Sequence, residues 1–181
     1  MVNLRCGNTE YTTITTQKLP EFSIVIDTRE QAPLSFPMTD IKVERGTLDT
    51  GDYGIKIGSD LAPVRVERKS IGDLFSSFSG DNYRREKEKI ERAKEGNLRY
   101  IIAIESSCSE VRKGHRYYKQ GQWHESQKDG LSQVRQIETI SMRYGVEVRY
   151  CSGRDDMSFM VQEILMAYVR GYSKQPNGGR V

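Results

Sequence analysis

Long apolar runs are missing from this 181-residue chain. No stretch approaches the roughly 20 consecutive apolar residues that a membrane-crossing helix needs, so the membrane-spanning class is set aside. The start, MVNLRCGNTEYTTITTQ, lacks the apolar core of a signal peptide, so a secreted protein is not expected. Cysteine is scarce. Cys6, Cys108 and Cys151 are odd in number, widely spaced, and fit neither a disulfide framework nor a zinc pattern. Reduced thiols in an intracellular protein are the expectation. Histidine is scarcer still; His115 and His124 read as surface or loop residues with nothing nearby to complete a zinc site. Charge of one sign is lacking too. Lysine and arginine number 28 against 25 aspartates and glutamates, for a net +3. That excludes an acidic tail protein, but only the local distribution of charge can point to a nucleic-acid partner. A chain of this length reads as one domain, able to bury about two-thirds of its unfolded surface without a disulfide or structural metal.

What is present begins with a polar, threonine-rich arm from Met1 to about Glu21. The first firm element is the β-branched run FSIVID, Phe22–Asp27, which reads as a buried strand and runs into TREQAP, where Pro33 and Pro37 forbid regular pairing. Strands are expected around Ile41–Leu48 and Tyr53–Ile57, with the turn-like Thr50-Gly51-Asp52 between them. VRVERK, Val64–Lys69, is the next strand. Ser70 then reads as the N-cap of the helix SIGDLFSSF, whose Ile71, Leu74, Phe75 and Phe78 share one face. A highly charged helix follows over Asn82–Glu95, then a buried strand Arg99–Glu105, a helix Gln127–Tyr144, a strand Val146–Tyr150 and a helix Asp155–Arg170. Strands alternating with helices in the second half imply parallel pairing and an α/β class. The tail GYSKQPNGGRV has linker composition.

The informative residues are acids at strand ends. Asp27 and Glu30 follow the first strand, Asp52 precedes the third, and Glu67 and Lys69 lie two apart on the fourth, hence on one face of it. A carboxylate and an ammonium side by side, with more carboxylates arriving from neighbouring strand ends, suit metal-assisted phosphodiester hydrolysis. Hard oxygen ligands hold Mg²⁺ or Mn²⁺, and magnesium needs only one or two carboxylates beside substrate oxygens and waters. Taken alone, such a set is more often a group of surface ion pairs.

The ordered set IVIDTRE, TGDYGI and VERKSIGDLFSSF resembles the nuclease domain of the XPF family of structure-specific endonucleases, within the PD-(D/E)XK restriction-like superfamily. That family's pattern is aspartate-x-arginine-glutamate, glycine-aspartate, then glutamate-arginine-lysine with an aspartate four positions on. Asp27, Arg29, Glu30, Gly51, Asp52, Glu67, Arg68, Lys69 and Asp73 fill every position. The resemblance implies a restriction-endonuclease-like fold, a mixed central sheet flanked by helices in a single α/β domain over residues 22–171. It implies a divalent-metal-dependent DNA endonuclease acting on flaps, forks or branches. Asp52 and Glu67 would be the main ligands of Mg²⁺ or Mn²⁺, with the Arg68 carbonyl, and Asp27 would complete or bridge the site through water. Lys69 would orient the attacking water and Glu30 would assist. Arg29 and Arg68 would organise the acids or contact phosphate, while Asp73 is either a helix cap or a catalytic group. A non-catalytic DNA-binding or scaffold subunit is the other reading; the retained Asp27, Asp52, Glu67 and Lys69 argue against it. A related junction resolvase shares the core.

The charged helix Asn82–Glu95 reads mostly as a solvated face with pairs such as Arg84/Glu88 and Glu88/Arg92, only Arg84 and Arg85 being phosphate-contact candidates. The connection Ser106–Ser126 interleaves Arg112, Lys113, Arg116 and Lys119 with Tyr117, Tyr118 and Trp123. Such a segment either tracks a nucleic-acid backbone and packs on exposed bases, or folds as a β-hairpin flap against the domain. Relatives in the resembled family usually append a tandem helix-hairpin-helix domain, and the chain stops about ten residues after its last expected helix. Homodimers or heterodimers through the C-terminal helices are implied, with stripes Leu131, Val134, Ile137, Ile140, Met142 and Phe159, Met160, Ile164, Leu165, Ala167, Tyr168 available for a partner or for the sheet. By analogy with compact forms of the domain, the expected setting is the cytoplasm or nucleoid of a prokaryotic or phage-infected cell, or a nucleus if the source is eukaryotic.

Overall fold

The computed structural model describes residues 19–36, 40–78, 80–126 and 128–173. Most of the threonine-rich arm, with Cys6, and the tail from residue 174 lie outside the described residues. Among these residues the chain runs β1 (Phe22–Asp27), β2 (Lys42–Gly46), β3 (Tyr53–Ile57), β4 (Asp60–Leu61), β5 (Val64–Lys69), α1 (Ile71–Ser77), α2 (Gly80–Glu95), β6 (Arg99–Ile104), α3 (Cys108–Arg112), β7 (Arg116–Lys119), β8 (Gln122–Glu125), α4 (Gly130–Tyr144), β9 (Glu147–Tyr150) and α5 (Arg154–Tyr172). A seven-stranded sheet has the order β2-β1-β3-β5-β6-β9, with β4 on β3 beside that path; β7 and β8 form a separate hairpin.

The sheet is mixed. β1 pairs parallel with β2, β5 with β6 and β6 with β9, whereas β3 is antiparallel to both β1 and β5. The helix-bearing connections of the second half account for the parallel β5–β6 and β6–β9 pairs, since each return needs a long crossover, whereas β1 reaches its parallel partner β2 without a helix. The reversal of β3 matters most. It brings the start of β3 beside the ends of β1 and β5.

Two cores flank the sheet. Ile24, Ile26, Tyr53, Ile55, Val64, Val66, Ile101 and Ala103 pack against Met157, Val161, Leu165 and Val169 of α5. On the other face Tyr100, Ile102 and Ile104 meet Leu74, Phe75, Phe78, Ile90, Ile137 and Ile140 from α1, α2 and α4. The alternation of strand side chains sorts β6 between these layers. Of the stripe residues offered to a partner by sequence, Ile137, Ile140 and Leu165 are buried against the sheet and Val134, Met160, Ile164 and Tyr168 pack partly on the cores, while Leu131, Met142 and Phe159 stay exposed.

Two local devices set the connections. Ser70 caps α1, its Oγ accepting from the Asp73 backbone N–H at 3.1 Å. Gly130 opens α4 where a Cβ would lie 2.2 Å from the Val111 carbonyl oxygen, so α3 and α4 touch backbone to backbone. The helix expected from Gln127 therefore begins three residues later, capped by Asp129, and the Ser106–Ser126 connection holds the short helix α3 and the hairpin that was one of its two expected forms.

Candidate metal and DNA site

The acids meet because one rung of the sheet carries three of them. Ile26 lies opposite Tyr53, and Tyr53 opposite Val66. One residue further along, the Asp27 N–H donates to the Asp52 carbonyl at 2.8 Å and the Asp52 N–H to the Val66 carbonyl at 2.9 Å. Residues directly opposite on antiparallel strands project to the same face, so Asp27, Asp52 and Glu67 line up across β1, β3 and β5. Gly51 makes the approach possible. Its φ is +77°, and a Cβ there would stand 3.1 Å from the Arg65 Cβ and 3.3 Å from the Val66 carbonyl oxygen. A cleft of about 580 Å³ opens over the rung, lined by Asp27, Glu30, Asp52, Glu67, Lys69 and Asp73 among others.

Asp27 is saturated. Its Oδ1 accepts from Arg29 N and Nε, and its Oδ2 from an Arg29 terminal nitrogen and from Leu48 N at 2.7 Å, which fills the roughly four acceptor positions of a carboxylate. Burial works against its charge, but Arg29 and the Leu48 N–H hold its pKa below the ordinary value. In this state Asp27 ties the 47–50 loop to the end of β1. Arg29 also donates to the Leu48 carbonyl at 2.7 Å, fixing the same loop.

Glu67 sits in a buried ionic cluster. Lys69 Nζ donates to Glu67 Oε1 and to Glu86 Oε2, both at 2.8 Å. Lys89 Nζ donates to the same Glu67 Oε1 at 2.7 Å, and the Tyr100 hydroxyl to Oε2 at 3.2 Å. Burial would raise the Glu67 pKa, yet Lys69 and Lys89 keep it lowered. Lys69 is pushed the other way: despite burial, Glu67 and Glu86 raise it well above an ordinary lysine. It is therefore a fixed ammonium with two of its three N–H donors engaged, able to donate to a water or phosphate oxygen and unable to remove a proton.

Among the described residues no cation forms an ion pair with Asp52, and Lys89 acts on it only at longer range. Burial and the neighbouring Glu67 carboxylate push Asp52 up to about 7, against the Arg68 backbone N–H that donates to its Oδ2 at 2.8 Å. Two adjacent carboxylates, one of them short of positive charge, fit a divalent cation. Among the described residues no three histidine, cysteine or acidic side chains close into a metal-holding group; Asp52 and Glu67 are the two carboxylates that lie next to each other on the rung and interact. That number suits magnesium. By the period of two along β5, the Arg68 carbonyl points to the same side as the Val66 carbonyl, toward Asp52.

The remaining expected residues divide. Arg68 lies in the wall of the cleft and pairs with Glu105 at 2.6 Å and with Glu30 at 3.6 Å, so it organises the segment after β1. Asp73 accepts from the Ser70 hydroxyl at 2.7 Å, a cap at the rim of the cleft. Arg84 and Arg85 are exposed on α2, Arg84 pairing with Glu88. Arg112 ends α3, Lys113 is its C-cap, and Arg116 and Lys119 lie on β7, none of them among the residues that line the acidic cleft. The α2 face expected to be solvated is not uniformly so. Glu86 is buried and holds Lys69, Lys89 reaches Glu67, and Lys89 and Arg92 line the cleft. Spacing of three along the helix, Glu86-Lys89-Arg92, beside the apolar Ile90 and Ala93 was the available signal for the face that turns inward.

The model of the ERCC4 domain family matches residues 26–164, most of the chain. The chain belongs to the ERCC4 domain family. The match spans the rung and the helices that cover it. An XPF from Aeropyrum pernix has the same fold, with a TM-score of 0.57 at 18% identity over 83% of this chain and 67% of that one. A structure of XPF from Aeropyrum pernix in complex with DNA gives a TM-score of 0.56 at 18% identity, over 83% and 66%. The chain thus spans about two-thirds of the length of those structures. No curated protein matches it.

Proposed function

We propose that this ERCC4 domain is a divalent-metal-dependent endonuclease that hydrolyses phosphodiester bonds in DNA, at flaps, forks or other branches. The supporting observation is the Asp52–Glu67 pair beside the Lys69 ammonium, inside a family-matched segment. Asp52 and Glu67 would hold Mg²⁺ or Mn²⁺, aided by the Arg68 carbonyl. Once bound, the cation neutralises charge on the scissile phosphate and makes a water more acidic.

The chain's own residues do the rest. Lys69, kept charged by Glu67 and Glu86, orients a water or steadies the developing phosphate charge with its remaining N–H. Lys89, which pairs with Glu67, and Arg92 beside it offer positive charge to a backbone phosphate entering the cleft. Asp27 and Arg29 keep the loop preceding Gly51 in place, so Asp52 arrives at the rung in register. The Aeropyrum pernix XPF bound to DNA supports a DNA substrate, and the acids that line the cleft support hydrolysis over passive binding.

The test is cleavage of a flap, a four-way junction and a plain duplex in Mg²⁺ by the native chain and by Asp52→Asn and Glu67→Gln. Both substitutions are expected to abolish cutting while DNA binding in EDTA persists. Undiminished cutting by either would overturn the assignment.

A further inference from the structure

The hairpin β7–β8 has two unlike faces. Register places Tyr117 opposite His124, and Tyr118 opposite Trp123. Tyr117 and His124 stack at 5.5 Å, His115 stacks on Tyr117 at 5.9 Å, and Phe75 of α1 meets His115 at 5.7 Å. This ladder of rings anchors the hairpin to the core, which a two-stranded unit needs because it is marginal alone. The other face points away from the domain. Trp123 is 65% exposed and Tyr118 63%, their rings edge to face at 5.5 Å, with the Arg116 guanidinium 5.8 Å from the Trp123 ring centre.

Two large aromatic rings left in water serve no packing purpose, and their surroundings are cationic. Arg112, Lys113, Arg116 and Lys119 are set against Glu110 and Glu125 in the hairpin and the segment before it; Glu125 pairs with Arg116 at 3.5 Å and Glu110 with Lys113, which leaves a surplus of two positive charges, while Lys128 turns inward to the Phe78 carbonyl. Exposed rings amid surplus positive charge complement a flat, apolar base on an anionic backbone, whereas an apolar protein surface would gain nothing from the cations. Position agrees. α1 gives Asp73 and Ser77 to the acidic cleft and Gly72, Phe75 and Ser76 to the groove beneath the hairpin. One helix diameter, about 10–12 Å, separates the two, roughly three base steps of DNA.

We infer that the outer face of the hairpin is a stacking platform for unpaired bases of a single-stranded nucleic-acid segment that leaves the acidic cleft over α1, with Trp123 and Tyr118 taking the bases and Arg116 and Lys119 the phosphates. This rests on the reading of the chain as a DNA enzyme and specifies which part of a branched substrate it grips.

Trp123 is the only tryptophan of the chain, so its emission reports on this face alone. The experiment is done in EDTA, where no cutting is required: the full chain is titrated with an oligothymidylate of about 15 nucleotides, a length within typical single-strand site sizes, and with a blunt duplex of equal length. Binding is followed in parallel by anisotropy of the labelled DNA. Stacking quenches Trp123 with the oligothymidylate and not with the duplex. The double substitution Tyr118→Leu and Trp123→Leu weakens oligothymidylate binding by roughly 5- to 150-fold per base lost, whereas Trp123→Phe keeps most of it. Circular dichroism of the variants checks that the domain stays folded. Unchanged emission at saturation, equal quenching by duplex, undiminished binding by the double variant or no binding of the oligothymidylate would each overturn the platform and leave the face to a protein partner. Because no step depends on cleavage, this outcome is read independently of whether Asp52 and Glu67 support hydrolysis.

Discussion

Replacing Asp52 by asparagine should make the metal-free protein more stable while removing its proposed activity. In the metal-free fold this carboxyl is pushed from an ordinary 3.8 to about 7, first by burial and then by Glu67. The folded state therefore keeps a proton that the unfolded chain has released, so stability falls as pH rises from about 4 to about 7 and is level above. Each pH unit is worth about 1.4 kcal/mol, which puts the cost of ionised Asp52 at about 4 kcal/mol as an upper bound; relaxation of neighbouring groups brings the expectation to about 2–4. Asparagine keeps an oxygen for the Arg68 N–H and has no charge to oppose Glu67. At 2–4 °C per kcal/mol for a domain of this size, Asp52→Asn should melt roughly 5–15 °C above the native chain at about pH 8 in EDTA, with no gain below about pH 4. Added Mg²⁺ should raise the native melting temperature at the higher pH and leave the variant nearly unmoved. Thermal melts by circular dichroism across that range decide it. A variant that melts at or below the native chain at about pH 8 in EDTA refutes the claim that Asp52 and Glu67 repel one another.

Other expectations concern the supports of the site. Glu86→Ala removes one of the two carboxylates on buried Lys69 and should cost about 3 kcal/mol by chemical denaturation, at the low end for a broken buried pair because Glu67 still faces the ammonium; a loss below about 1 would show that Glu86 holds nothing in place. Gly51→Ala forces a side chain into a left-handed turn against β5 and should cost about 1–2 kcal/mol from backbone strain alone, with a larger fall in cleavage than in melting temperature because Asp52 is displaced. Ser70→Ala should lower stability by about 1 kcal/mol through the lost cap of α1, readable as a small drop in melting temperature with DNA binding retained.

Much of the molecule could be read from residue order. The β-branched runs at Phe22–Asp27 and Val64–Lys69 and the apolar spacing of α1, α4 and α5 follow from local chemistry, and all appear in the structure within a few residues. The nine motif residues, Asp27 to Asp73, are also visible as a string, because a strand's period of two already places Glu67 and Lys69 on one face. A string does not say which members touch. That depends on β3 running against β1 and β5, a pairing set by long-range packing of both sheet faces, and only then do Asp27, Asp52 and Glu67 share a rung. The same holds for Glu86 and Lys89. On the chain they are two charges among many on a polar helix, and burial of Ile90 and Ala93 against the sheet is what turns them toward Lys69 and Glu67. Local propensity and periodicity thus name the elements and the candidate acids, whereas the identity of each acid's partner, and with it whether it is neutralised like Asp27 or left short of positive charge like Asp52, is a property of contacts between residues 15 to 40 apart in sequence that exist only once the sheet has closed.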